Sequence, residues 1–548
     1  MMRLLLAIAI VACGSLIHIV TAQPFTVPST SKEEWPLPTP PITPRTAHHT
    51  ISTPSAGQLD PWDATANATT SNCPHHQSGL VQWNNATFWA ANGGAVPSHG
   101  VDVTVPAGFS MVVTAASVSP GTIYGAITIP ATSALVFADE NIDFHVRRML
   151  VRGALSIGSE SCRVYSNITV TIHGIRGDGN DKGIEATGTL DIHGALMVPT
   201  WTRLAAPVMA GNTTIWLQTC VNWQAGQEIL VTTTTFKDTR HYNRNEELLL
   251  ASVECVSVED ANGQQVRLAR LGLATAAQFS HYAGAGQYQA EVALLSRNVV
   301  VQGDRAESEP VDTTNETCSN SKFDKMPCDG VFLTGHGAHL AVVGPLATGR
   351  ISSAAFQFMG QTNIEGKYPV HFHLLNTSGV HSYVEDSVVR RSYYRCVVTH
   401  GTHGMRVSRN VAYDAIGHCY YLESGIEENN VWEHNLGAHI HSIGAPMTLS
   451  AASGSQDGDD KVGHANLTVP ADMNASPFYI TNLHNIVVGN VAVGGWAGYS
   501  MPTLFEVIGE ERGMYPGFVP HNRPTLKFDG NVARSSGYWW SSGSCFCT

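Results

Sequence analysis

The chain has 548 residues, a net charge of −13 and a charged fraction of 14%, well below the ~25% of typical soluble domains. The length exceeds one ordinary domain, and the negative balance argues against a nucleic-acid partner. It also means that any polyanionic ligand must find a local basic groove, because the global field repels it.

Residues 1–22 read as a secretory signal peptide: Arg3 precedes an apolar run from Leu4 to Val20, and Val20-Thr-Ala22 offers a small-residue cleavage site. A signal anchor is the alternative reading, since the run is barely long enough to span a bilayer. No later segment reads as transmembrane, so a secreted, extracellular protein is expected. Of eleven cysteines, removal of Cys13 with the leader leaves ten, an even number that favours disulfides in an oxidising compartment. Cys318 and Cys328 are expected to close a polar insertion. Eight glycosylation sequons, at Asn67, Asn85, Asn167, Asn212, Asn315, Asn376, Asn466 and Asn474, agree with secretion. Residues 23–77 form a Pro/Thr/Ser-rich linker, of which Trp35-Pro-Leu-Pro-Thr-Pro-Pro-Ile-Thr-Pro44 is the clearest stretch.

From residue 78 onward alternation replaces helical periodicity. Val101–Val105, Tyr124–Ile129, Met149–Ile157, Ile168–Ile172 and Gly188–Gly194 read as short strands between Gly and Pro breaks. Further strands are predicted at Thr214–Leu217, Glu228–Thr232, Val253–Val258 and Gln265–Leu268. There is no βαβ rhythm, so the fold class is all-β.

A repeat then appears. Arg409-Asn-Val-Ala-Tyr413 is echoed by Gly489-Asn-Val-Ala-Val493 and Gly530-Asn-Val-Ala-Arg534, with weaker copies at Asn430-Val-Trp and Asn485-Ile-Val. A unit of about 20–23 residues with a β-run, an Asn and a Gly suits the coils of a parallel β-helix. A repeated turn in a sandwich is the competing reading. In the β-helix, Cys396 and Cys419 would stack on adjacent coils.

Chemistry-bearing residues crowd the same region. In Val370-His-Phe-His373 the two histidines are spaced i, i+2 and share one face of a strand. Five arginines (390, 391, 395, 406 and 409) follow with His400 and His403, and no acid intervenes between Ser387 and Tyr413. Then Asp414, Glu423, Glu427, Glu428 and Glu433 appear with no Lys or Arg from Asn410 to Asp460. Arg391, Arg395 and Arg406 are candidate holders of substrate carboxylates. His400, His403 and His418 are candidate acid–base residues, and Asp414 and Glu423 are candidate hydrolytic carboxylates or calcium ligands. His371 and His373 are candidate substrate contacts. They are also readable as a buried structural stack, the strongest competing reading, or as transition-metal chelators, with His439-Ile-His441 a second such pair. A third metal ligand cannot be named at this level.

These motifs resemble a known family: the secreted and transmembrane hyaluronidase-type proteins related to the cell-migration-inducing, hyaluronan-binding protein, with fibrocystin more distant. Trp83, Thr87-Phe-Trp89, His99-Gly-Val-Asp-Val103 and Val151-Arg-Gly-Ala-Leu-Ser-Ile-Gly158 follow the pattern of its N-terminal G8 domain. Gly366-Lys-Tyr-Pro-Val-His-Phe-His-Leu374, His400-Gly-Thr-His-Gly404 and Asn410-Val-Ala-Tyr-Asp-Ala-Ile-Gly-His418 follow its core. The resemblance implies a right-handed parallel β-helix with an N-terminal G8-type β domain, and an acidic extracellular polysaccharide as partner. In some members it implies calcium-dependent endo-cleavage of hyaluronan; in others, binding or adhesion only. The expected domains are a G8-type domain at 78–204, a β-rich connecting segment at 205–304, a polar insertion at 305–335 and β-helix repeats at 336–548. The chain stops soon after a repeat motif, where family members continue, so a truncated sequence or a missing C-terminal anchor is the expectation.

Overall fold

The structure, a computed structural model, describes residues 72–310, 334–441 and 468–537 apart from short gaps at 237, 239–242, 261–262, 285–287, 470–471 and 473. It also describes 317–319, 325–327, 443 and 545–547. The candidate signal peptide, most of the linker and Asn67, Asn315 and Asn466 lie outside the described residues, as does Cys328 of the expected Cys318–Cys328 pair. Within the described residues, no helix is long and apolar enough to cross a membrane.

The chain winds into a parallel β-helix with three walls. The first wall is an eleven-stranded ladder running from Val81–Gln82 through Thr189–His193, Thr348–Ser352, Tyr383–Glu385 and Arg406–Ser408 to Lys527–Asp529. The second wall includes Ala354–Gln357, Val388–Ser392, Val411–Ile416, Leu436–His441 and Val491–Val493. The third includes Val370–Asn376, Val397–Thr402, Tyr420–Leu422, Phe478–Tyr479 and Tyr499–Ser500. In the first coils the second and third walls are one, because the long strand Ile142–Val151 pairs with Ile168–Ile172 along its first part and with Gly183–Ala186 along its end. The segment with G8 character therefore forms the first coils of the same solenoid: Thr189–His193 pairs in register with Thr348–Ser352.

Coils stack like on like. One apolar core runs from Trp83 to Tyr499. Along the inner face of the third wall Tyr420, Phe478, Tyr499 and Phe546 stack with centroids 4.9, 4.8 and 5.0 Å apart, the spacing of neighbouring strands. Cys396 and Cys419 sit on adjacent coils and are disulfide-bonded, as are Cys73–Cys162 and Cys220–Cys255.

The Gly-Asn repeat has a physical reason. Between the first and second walls each coil turns through one residue with positive φ: Asp386, Arg409, His434, Gly489 and Gly530, at 52°, 56°, 53°, 66° and 64°. Glycine takes that conformation without steric cost. The next residue is Asn410, Asn435, Asn490 or Asn531 in the last four of these coils. Each of these amides reaches back to the preceding coil: the Oδ1 atoms of Asn435, Asn490 and Asn531 accept from the backbone N–H of Asn410, Asn435 and Asn490 at 3.1, 2.9 and 3.0 Å. The column satisfies buried backbone groups that the turn would otherwise orphan. Asn430 and Asn485 belong to a separate column, between the third and first walls, with a 2.8 Å bond.

An antiparallel six-stranded unit interrupts the corner between the first and second walls. Its strands, Trp201–Arg203, Glu291–Leu294, Glu228–Val231, Glu246–Glu259, Gln265–Leu273 and Thr214–Leu217 in spatial order, are closed by a Leu204–Leu217 bridge around a core of their own. This barrel packs on the second wall. Leu230, Ala293 and Leu295 meet Ala355, Val388, Val411, Tyr413, Leu436 and Ala438.

Candidate functional site

The i, i+2 spacing of His371 and His373 works as expected: Phe372 points into the core, fully buried, and both imidazoles project from the third wall. The register sets His373 directly beside His400 on the next strand, and their Nδ1 atoms are 3.1 Å apart. One coil further, Glu423 follows Tyr420–Leu422, with Oε2 at 3.9 Å from His371 Nε2 and 3.7 Å from His400 Nδ1. Two groups that the sequence reading did not single out complete the cluster. The Tyr368 hydroxyl donates to Glu423 Oε1 at 3.1 Å. Glu511, in the excursion between Tyr499–Ser500 and Lys527–Asp529, holds His400 Nε2 at 2.8 Å, and its neighbour Glu510 lies 3.6 Å from His373 Nε2.

The cluster is nearly dry. His371 is 3% exposed. Its Nε2 and Glu423 Oε2 are buried and have no hydrogen-bond partner, an arrangement that costs stability unless something else uses these atoms. Burial, with His400 and His373 alongside, holds His371 well below the ordinary histidine range. Burial also pushes the Glu423 carboxyl up, against the pull of His400 and Arg395. Burial opposes charge on His400 as well, but Glu423, Glu511 and Glu427 outweigh it and push its pKa up to about 10.

The CEMIP beta-helix family matches residues 335–539 and the G8 domain family matches residues 88–205. Both modules occur here in that order, within one solenoid. The chain is a G8 and CEMIP-type β-helix protein. Protein rliB of Dictyostelium discoideum is 39% identical over 504 residues, covering 90% of this chain and 40% of its own length. Fibrocystin-L of Mus musculus is 28% identical over 383 residues, covering 66% of this chain and 8% of its own. The chain thus spans less than half of these relatives. Among solved structures, the tailspike gp61 of Pseudomonas phage phi297 is 11% identical, covers 71% of this chain and 50% of that one, and gives a TM-score of 0.17.

Within the CEMIP-type β-helix, the remaining candidates do not join the cluster. Arg395 has no exposed surface: it pairs with buried Asp472 and lies 3.8 Å from the Tyr421 ring centroid, with Tyr394 donating to the same Asp472 at 2.7 Å. It cannot reach a substrate, and the expectation that it would is corrected by burial. Arg391 projects from the second wall onto Glu247 of the barrel at 2.8 Å, and Arg406 from the first wall onto Glu385 at 2.8 Å. Asp414 is also on the second wall, where its carboxylate meets His441 Nε2 at 2.7 Å. Burial would raise that carboxyl, yet the His441 ring outweighs it and holds it down to about 2. His403 is half-buried at the corner after the third wall, where Nδ1 accepts from the Glu428 backbone at 3.1 Å. A single groove holding His371, His373, His400, His403, Asp414 and Glu423 is therefore not what forms: four of the six converge, and His403 and Asp414 stand elsewhere.

The donor set does not fit calcium, which takes six to eight oxygens. Every grouping of three or more His, Cys, Asp or Glu ligands among the described residues contains histidine. Of the sequons described, Asn85, Asn167, Asn212 and Asn376 are exposed and Asn474 is half-buried.

Proposed function

We propose that this chain is a secreted protein that binds an extracellular polysaccharide along the third wall and shortens it at the His371–His373–His400–Glu423 cluster. The observation that carries the reading is the convergence of three imidazoles, two of them buried, on one carboxylate, with two polar atoms of the cluster left unpartnered. Breaking a polysaccharide requires a positioned proton donor or acceptor and, for a uronate-bearing polymer, positive charge beside the scissile unit. Glu423 and the histidines offer the first. His400, whose neighbouring carboxylates favour its protonated form, offers the second.

A hyaluronan-like acidic polymer is the class that the family resemblance implies. The arginines expected to hold it are spent on structural carboxylates, so positive charge facing the polymer would come from the cluster itself. The test is to incubate the purified chain with a panel of acidic and neutral polysaccharides and follow product size. Shortening of one class supports the reading. Retention of a polymer without shortening would make the chain a non-catalytic binding or adhesion module, and no retention at all would remove polysaccharide from the account.

A further inference from the structure

We propose that His371 Nε2, His373 Nδ1, His400 Nδ1 and Glu423 Oε2 are the ligands of a transition-metal ion. The orientation of each ring is the first argument. His371 Nδ1 faces the Gly366 carbonyl at 3.2 Å, which can only accept, so Nδ1 carries the hydrogen and Nε2 presents its lone pair inward. His400 Nε2 faces the Glu511 carboxylate at 2.8 Å and donates to it, which turns Nδ1 inward. His373 Nε2 is directed towards Glu510 at 3.6 Å, leaving Nδ1 inward. Oxygen acceptors behind metal-binding imidazoles do the same work: they fix the tautomer and raise the ring's basicity. Tyr368 plays this part for Glu423, taking one oxygen and leaving the other free.

Spacing is the second argument. The three imidazole ligand atoms lie within 4.8 Å of one another, and Glu423 Oε2 is 3.7 and 3.9 Å from two of them. Ligands bonded at about 2.0–2.2 Å around one ion stand ~3–4 Å apart, so small side-chain adjustments close the site. Three nitrogens and one carboxylate select a first-row transition ion over calcium or magnesium. Binding would expel the proton shared in the His373–His400 contact, exchanging one positive charge for a divalent one.

Three other groupings among the described residues contain histidine, and that of His400 with Glu510 and Glu511 involves the outward nitrogen already held by Glu511. Cys73, beside His75 and His76, is bonded to Cys162. In the Asp414–His439–His441 group, His439 Nδ1 is held by Asp238 and His441 Nε2 by Asp414, at 2.8 and 2.7 Å.

The inference rests on the third-wall site of the proposed function, and its test does not require catalysis. The full chain, stripped with a chelator and dialysed, is titrated with Co²⁺ while visible d–d absorption is followed, and metal content is measured by mass spectrometry. One Co²⁺ per chain is expected, displaced by Zn²⁺ but not by excess Ca²⁺, with a raised melting temperature. His373→Ala and Glu423→Gln should each weaken binding at least tenfold, and His441→Ala should leave it unchanged. The Glu423 variant keeps shape and hydrogen bonding, so it remains informative where the histidine variant folds poorly. Absent d–d bands, equal displacement by Ca²⁺, or loss of binding in His441→Ala would overturn the site. Metal binding as expected without polymer shortening would instead count against the proposed function alone.

Discussion

The second and third walls carry similar residues and put them to opposite uses. On the second wall Arg390 and Arg391 meet Glu228 and Glu247, His439 meets Asp238, and Arg534 meets Glu291, so the barrel is fastened by charge pairs over an apolar patch. Asp238 Oδ1 and Arg534 Nε are left unpartnered there, but on groups held in those pairs. On the third wall histidines and carboxylates converge just as closely, and the unpartnered atoms, His371 Nε2 and Glu423 Oε2, lie 3.9 Å from each other. A cluster of ionisable groups is therefore no sign of a site by itself. What distinguishes the third wall is an unpartnered nitrogen and an unpartnered oxygen facing one another beside the His373–His400 contact.

If satisfied charges are structural, removing one should unfold rather than inactivate. Arg395→Ala would strand Asp472 and the Tyr394 hydroxyl without their cation. Breaking a buried pair costs about 3–5 kcal/mol, so the melting temperature should fall steeply, and Asp472→Asn added to it should recover part of the loss.

An orphan atom without convergent neighbours should also be structural. His193 is 1% exposed with Nδ1 unpartnered and Nε2 on the Tyr383 hydroxyl at 2.8 Å. Burial, with Arg163 and Arg350 nearby, lowers its pKa from 6.5 to about 3, and His336 is likewise lowered to about 4. The folded state binds these protons less readily than the unfolded chain. Their contribution to stability is thus full above pH 6.5 and lost as pH falls, by about 1.4 kcal/mol per pH unit, down to about 4 for His336 and about 3 for His193. Denaturant midpoints across this range should show that slope, and His193→Gln should flatten it.

The smallest effect concerns the coil itself, on which both walls depend. Asn435 makes two donated and two accepted bonds within its column. Replacing it by alanine should cost about 1–3 kcal/mol. Asn531→Ala, at the half-buried end of the column, should cost less in the same chemical-denaturation measurement.

Much of the solenoid was legible because Asn-Val-Ala recurs where a positive-φ corner and an interlocking amide are both needed. Asn435 escaped the pattern because Leu-Gly follows it, although its amide does the same work. The period was blurred by excursions: register partners Val407, Trp432, Val487 and Phe528 are separated by 25, 55 and 41 residues. At the site, strand alternation made His371 and His373 readable as a pair, and their third partner lay one coil on at His400. Glu511 did not stand out, since 111 residues separate it from His400 and only the returning excursion joins them. The arginine block misled because residue type does not say which wall a side chain leaves from, and the barrel carboxylates that claim Arg390 and Arg391, Glu228 and Glu247, lie 162 and 144 residues upstream.

The contrast between the walls is tested most directly by comparing Glu423→Gln with Asp414→Asn, measuring polymer shortening and melting temperature on the same preparations. Glu423→Gln should abolish shortening while leaving the melting temperature equal or higher, because a buried, half-partnered carboxylate becomes neutral. Asp414→Asn should lower the melting temperature through loss of the His441 pair and keep shortening in the folded fraction. Shortening that survives Glu423→Gln, or is lost in folded Asp414→Asn, would contradict the assignment of the site to the third wall.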